Sequence, residues 1–176
     1  MALEIPDVRQ RIMDRFPDAT SDFTTVKGIF TLTVEREACK DLIAFLHSDE
    51  TLRFNFLSDL CGVHFPQNSA DKQFAVVYLL HNWVDNMRLR VKTFLPGDNP
   101  ETDSMTPVFA SANWMERETF DFYGIRFTGH PNLKRILNHD GMKVFPMRKE
   151  YPLEDEFRTD KDDRFFGREV NPHSLP

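Results

Sequence analysis

Glycine is scarce in this chain, with 7 residues in 176, and cysteine scarcer still, with 2. No stretch of about 18 consecutive apolar residues occurs, so no segment reads as a membrane-spanning helix. Basic residues are outnumbered, 22 against 28 acidic, and the net charge of −6 provides no dominant phosphate-neutralising patch for a nucleic acid. The opening Met1-Ala2-Leu3-Glu4-Ile5-Pro6-Asp7 has neither a secretory apolar core nor an Arg/Ser-rich transit pattern, so the chain is expected to work in the bacterial cytoplasm where it is made. An iron–sulfur cluster usually takes four thiolates and a structural zinc four clustered ligands. Cys39 and Cys61, 22 positions apart, provide neither, and read as buried reduced thiols.

What the chain has in quantity is phenylalanine, 17 residues. A single domain of this length buries about 70% of its unfolded surface. Ile5, Val8, Ile12 and Phe16 recur at helical spacing before Pro17, and Ala38, Leu42, Phe45 and Leu46 do so over residues 36 to 47. Between them Phe30, Leu32 and Val34 alternate with threonines, the mark of a half-buried strand. Three extended segments come next, 53–65, 74–82 and 86–95, joined by turns short enough for an antiparallel meander. The middle one, Phe74 to Leu80, is continuously apolar and suits a central strand covered on both faces. In the last, Arg88, Arg90 and Lys92 alternate with Met87, Leu89 and Val91. A solvated sheet face is the favoured reading, and a basic stripe meeting an acidic partner the alternative. Residues 96–103 read as a flexible linker leading to a helix over 111–123, with Ser111 a candidate cap. The fold class is α+β: an N-terminal helix, a strand and helix, an antiparallel meander sheet packed by helices, then an extended C-terminal arm.

That last helix carries the densest chemistry. Glu116, Arg117, Glu118 and Asp121 fall within six residues, among Trp114, Met115, Phe120, Phe122 and Tyr123. Arg117 and Asp121 stand i,i+4 and can pair, with Glu118 on the adjoining strip. Gly124 is placed to end the helix. Glu116 and Glu118 lie on different faces and make no ready acid/base pair. With no nucleophile, metal-ligand spacing or glycine-rich loop nearby, a structural ion-pair knot at a contact between subunits is favoured over catalysis. From residue 138 the periodicity stops, yet Phe145, Tyr151, Leu153, Phe157, Phe165 and Phe166 punctuate the remainder. Disordered tails are poor in aromatics, so residues 138–176 are expected to form an arm lying on another surface, apart from a globular domain of residues 1–137, with an arm folded back on its own domain as the alternative.

The run from Glu116 to Phe127, then His130-Pro131-Asn132-Leu133-Lys134-Arg135-Ile136-Leu137, resembles the signature of the C-type subunits, the thirty-kilodalton subunit family, of respiratory complex I (NADH:quinone oxidoreductase). Pro146-Met147-Arg148-Lys149-Glu150-Tyr151-Pro152-Leu153 is similar to that family's Pro-Leu-Arg-Lys-Asp-Tyr-Pro-Leu, departing at Met147 and Glu150. The likeness is close over 108–153 and only architectural over 1–95. It implies a non-catalytic subunit whose C-terminal arm docks onto the D-type (49-kDa) subunit. FMN, the iron–sulfur clusters and the quinone pocket would belong to other subunits, and this chain would bind no cofactor or metal. It would sit peripherally on the cytoplasmic side of the bacterial inner membrane, held there by its partners. The resemblance further implies that Glu116, Arg117, Glu118 and Asp121 form a local ion-pair network, that Gly124 and Pro131 fix a turn, and that Arg135, Arg148 and Tyr151 present contacts to the partner. Tyr123, His130, Lys149 and Pro152 complete the signature. His130 reads as a turn residue bonded to backbone rather than a proton carrier. The equivalent subunit of a membrane-bound hydrogenase or formate hydrogenlyase is the neighbouring alternative. A stand-alone hydrolase using Glu116 or Glu118 is the alternative from another class.

Overall fold

The computed structural model describes residues 3–151. Helix α1 (Ile5–Arg15) buries Val8 and Ile12, and α2 (Arg36–Ser48) buries Cys39, Leu42, Ile43 and Leu46, the stripes their periodicity predicts. Strands β1 (Thr20–Val26), β2 (Ile29–Val34), β3 (Phe56–His64), β4 (Phe74–Asn82) and β5 (Met87–Leu95) form one sheet in the order β1-β2-β5-β4-β3. The meander β3-β4-β5 is antiparallel throughout, as expected. β2 joins it parallel to β5, with Leu32 opposite Val91, so the sheet is mixed at that seam.

β1 has no counterpart in the sequence pattern. Its Thr-Ser-Asp-Phe-Thr-Thr-Val is too polar to alternate visibly, because it is an edge strand with most positions exposed. What makes it a strand is the turn behind it. Lys27 (φ 51°) and Gly28 (φ 78°) both take left-handed conformations between the paired Val26 and Ile29, the geometry of a two-residue hairpin turn.

The linker also gains structure. β6 (Glu101–Asp103) pairs in parallel with β7 (Arg126–Thr128), bracketing α3 (Ala112–Tyr123) at both ends. Ser111 stands at the N-cap position of α3, but its backbone is helical and its side chain makes no capping bond. α3 lies against β3, and the approach is close. A β-carbon on Gly62 would stand 2.8 Å from Tyr123 Cδ2 and 2.9 Å from Thr119 Cγ2, so only glycine fits there.

The core lies on one face of the sheet, which corrects the expectation that β4 is covered on both: Val77 and Leu79, on its other face, are only half-buried. Phe30, Leu32, Leu89, Val91, Val76, Tyr78, Leu80, Leu57 and Leu60 gather there with the buried residues of α1 and α2 and with Ile125 and Phe127. Cys39 is buried among them as expected, and burial pushes its thiol up to about 12. Cys61 corrects the other half of that reading. It is exposed, because its register opposite Val77 turns it to the sheet's other face.

Candidate functional site: a charged clasp on α3

Glu116 points inward from α3 and is fully buried. Its Oε1 accepts from the Met105 backbone N–H at 2.6 Å and its Oε2 from the Ser104 hydroxyl at 2.7 Å. The carboxyl thereby ties the segment after β6 to the helix. Burial raises it from 4.5 to about 7, against those two opposing bonds. The folded chain therefore holds a proton on Glu116 more tightly than the unfolded chain does. Stability from this group is full at low pH and falls as pH climbs from about 4.5 to about 7. Glu116→Gln removes that dependence. In urea unfolding the wild type should lose on the order of 2 kcal/mol relative to the variant as pH rises through this window. Parallel curves would show that the carboxyl titrates normally. Glu118, by contrast, is exposed, so the two carboxylates do face different surroundings.

Asp121 is also fully buried, and its carboxylate is the centre of the site. Oδ2 accepts three successive backbone N–H groups, from Ile136 (3.1 Å), Leu137 (2.8 Å) and Asn138 (2.8 Å). Oδ1 takes the Arg135 guanidinium at 2.7 Å. Burial alone would raise this carboxyl. The bonds from Asn138, Arg135, Leu137 and Ile136 outweigh it and hold it well below the usual carboxylate range.

The expected Arg117–Asp121 pair does not form. Arg117 instead donates to the carbonyls of Lys134 (3.0 Å) and Arg135 (2.9 Å), and its guanidinium lies 5.3 Å from the Trp114 ring centroid. Its loop-carbonyl bonds and the Asp121 amide bonds both grip the segment beyond α3, one from each polarity of its backbone. A helix i,i+4 pair would have used up both groups without holding anything else.

Arg135 and Arg148 also turn inward, where the resemblance implied outward contacts. Arg135 donates to the carbonyls of Asp121, Met142 and Val144 as well as to the Asp121 carboxylate. Arg148 donates to the Tyr123 carbonyl at 2.7 Å. The two guanidiniums stack on one ring, Phe145, at 5.0 and 4.9 Å, and Arg148 also lies 4.9 Å from Phe74. Gly124 closes α3 at φ 74° directly beneath this stack. A β-carbon there would meet Phe145 Cε2 at 2.6 Å and Arg148 Nη2 at 2.7 Å.

The remaining signature residues sit around the clasp. His130 is a turn residue: its Nδ1 accepts from the Asn132 N–H and its Nε2 lies 3.1 Å from the Asn113 carbonyl. Pro131 is exposed beside it, and Tyr123 is half-buried against Gly62. The Lys149 backbone N–H donates to Nδ1 of His64, whose ring stacks on Phe74 at 4.5 Å. Sequence pattern alone assigns His64 no role. The signal would have been its place at the end of β3, where a ring can meet the returning chain. The Met147 N–H donates to the Phe122 carbonyl, so residues 138–151 lie fastened to the globular body at several points. Pro152 and the later anchors Leu153, Phe157, Phe165 and Phe166 lie outside the described residues. The outer surface of this region presents Trp114 (61% exposed), Leu137 (63%), Met147 (48%) and Tyr151 (41%). Among the described residues no group of three or more His, Cys, Asp or Glu is placed to hold a metal.

The arrangement holds a shaped surface in place and, among the described residues, offers no accessible acid/base pair: Glu116 is sealed behind Ser104 and Met105, and Glu118 is exposed on another face of α3. The family described as respiratory-chain NADH dehydrogenase, 30 Kd subunit, matches residues 32–157, a span that takes in α3 and the whole clasp. The chain belongs to this family. Relatives of the 30 Kd subunit family include the NADH-quinone oxidoreductase C 2 subunit of Rhizobium etli (strain CIAT 652), 42% identical over 178 residues, covering 100% of this chain and 91% of the relative. The corresponding C-type subunit of Roseiflexus sp. (strain RS-1) is 39% identical over 153 residues, 87% of each chain. Among solved structures, a trypsin-resistant fragment (1–134) of Nqo5 is 30% identical with a TM-score of 0.60, over 71% of this chain and 98% of the fragment. A chain of the membrane-bound sulfane sulfur reductase, an archaeal respiratory membrane complex, shares the fold at a TM-score of 0.70 and 20% identity, over 89% of this chain and 96% of that one.

Proposed function

We propose that this chain is a non-catalytic peripheral-arm subunit of a proton-translocating NADH:quinone oxidoreductase, docking to a partner of the D (49-kDa) type through the segment 130–151 and the arm beyond it. The observation that carries the reading is the use made of the signature charges. Arg117, Asp121, Arg135 and Arg148 are all directed at residues of this chain, where they pin a loop lacking a core of its own. Such a clasp presents Leu137, Met147 and Tyr151 outward in a fixed arrangement, and apolar and aromatic anchors held ready in this way suit a permanent contact between subunits. Arg135 and Arg148 then act as positioning residues behind that surface.

On this reading the complex carries electrons from NADH through FMN and iron–sulfur centres to quinone, with all of these held by partner subunits. Among the described residues no helix is long and apolar enough to cross a membrane, so attachment to the cytoplasmic side of the inner membrane would run through partners. A respiratory membrane complex of another kind, the hydrogenase-type alternative among them, would draw on fold likeness alone, the 20% identity to a chain of the sulfane sulfur reductase, against 42% to the Rhizobium etli relative.

Two experiments test this. Tagging the chain in its host and solubilising membranes gently should recover FMN- and cluster-bearing subunits with NADH:quinone activity. Recovery of a nickel-bearing large subunit would move the chain to the hydrogenase branch, and recovery of the chain alone would overturn both readings. Arg117→Ala, which removes two charge-assisted bonds to loop carbonyls, should lower the amount of assembled complex while leaving turnover per assembled complex unchanged. Full assembly with slowed turnover would assign Arg117 a role in the reaction instead.

A further inference from the structure

The sheet has a second face, opposite the core. Arg88, Arg90 and Lys92 of β5 lie on it, since Leu89, Val91, Thr93 and Leu95 between and beyond them are buried on the helix side. In register beside them stand His81, Leu79 and Val77 of β4, and then Phe56, Asp59 and Cys61 of β3. β5 is the central strand, so its cations cannot splay off an edge. Among the described residues none of the three takes part in an ion pair. Lys92 instead lies 4.5 Å over the Phe94 ring. Asp59 is the one carboxylate on these rows, and its Oδ1 is occupied by the Leu60 N–H.

At the β4–β5 turn this charged stripe runs into an apolar groove of about 560 Å³, lined among others by Ile29, Phe56, Leu79, His81, Trp83 and Arg88. Trp83 is 62% exposed, Val84 65% and Phe56 41%. Their exposure is built in. Asn82 accepts the N–H groups of Val84 and Asp85 and donates to the Leu52 carbonyl, which fixes the turn that projects them. The Trp83 ring rests 5.1 Å from Phe56 and 4.8 Å from His81. A merely solvated face would not hold a tryptophan out in this way.

We propose that this open face is a second docking surface, which takes an acidic, extended segment of another protein in the complex: a bulky apolar side chain beside Trp83, and carboxylates along Arg88, Arg90 and Lys92. Alternate residues on a strand recur at about 6.6 Å, the spacing of alternate carboxylates in an extended chain. Charge complementarity selects the occupant. A second copy of this chain, meeting face to face, would set three cations against three. A lipid surface would gain only about 1 kcal/mol per basic residue while meeting a body of net charge −6. The surface is distinct from the α3 clasp. Arg148 packs on Phe74 at the start of β4 and Trp83 comes just after its end, nine residue steps or about 30 Å along the strand.

The inference rests on the chain working inside a multisubunit enzyme, and the test separates the two. A photoreactive benzoylphenylalanine is placed at Val84 in one tagged chain and at Leu137 in another, each expressed in the native host. The solubilised complexes are irradiated and the adducts mapped by mass spectrometry. The expected Val84 adduct is an Asp/Glu-rich segment of a different polypeptide of the complex. Its yield should fall about tenfold in a chain also carrying R88E, R90E and K92E, or the milder R88Q, R90Q and K92Q, provided the purified variant keeps its unfolding midpoint. Adducts to partner polypeptides from Leu137 with none from Val84, or Val84 adducts to lipid, to a second copy or to a segment without acidic residues, would overturn the second surface alone. No adduct to a partner polypeptide from either position would overturn both proposals.

Discussion

Asp121→Ala should lower the unfolding free energy of the purified chain by about 3–5 kcal/mol, the cost of leaving a buried charge without its partner. The Arg135 side chain is only 10% exposed and its counterion would be gone. Three backbone N–H groups, of Ile136, Leu137 and Asn138, would lose their acceptor at the same time. Asp121→Asn, which keeps one acceptor oxygen, should cost less but remain well below wild type. Urea unfolding measures both, and a loss under about 1 kcal/mol for the alanine variant would mean that the loop finds other partners. The pH dependence has its own sign. Because the folded value of Asp121 is depressed, its contribution is present above the ordinary 3.8 and is lost as pH falls below it. Glu116 works the other way and loses its contribution as pH climbs toward 7. The two opposed slopes leave both contributions in full only in the narrow window between about pH 3.8 and about 4.5.

Gly124→Ala should cost about 2–5 kcal/mol through two separable effects. A left-handed φ of 74° penalises any β-carbon. That β-carbon would also press on Phe145 and Arg148, at 2.6 and 2.7 Å, and Phe145 is the ring on which both Arg135 and Arg148 stack. Replacing the ring by a smaller side chain should relieve the clash but not the backbone strain. The double variant Gly124→Ala, Phe145→Leu should therefore lose less than the sum of its parts, a non-additivity that a double-mutant cycle reads directly. Strict additivity would mean that the α3 terminus and the Phe145 stack do not communicate.

The clasp shows how far one sequence can be read. Gly124 was legible as a helix stop because glycine at a helix end answers a local steric question. The helix bearing Glu116, Arg117, Glu118 and Asp121 was legible too, since periodicity is local. Their partners were not. The i,i+4 spacing of Arg117 and Asp121 permits a pair, but an exposed helix pair contributes only a few tenths of a kcal/mol. A carboxylate that meets three backbone amides and a guanidinium in the protein interior gains far more, and those groups arrive from residues 135–138, a loop without periodicity. The ends of α3 show the same division. Gly124 stops the helix as expected, whereas Ser111 occupies the cap position without capping.

By itself the sequence determined the elements whose cause is local or repetitive: α1, α2, α3, β2 and the β3-β4-β5 meander, together with a charged aromatic signature long enough to mark its family. Tertiary structure alone decided the parallel seam between β2 and β5, the polar edge strand β1, the return of residues 138–151 onto the body and the inward turn of Arg135 and Arg148. The physical reason is the range of the forces involved. Side-chain periodicity and glycine sterics act within a few residues and leave a pattern in the chain. Hydrogen bonds to backbone carbonyls and amides can be answered by any residue that folding brings near, and so leave none.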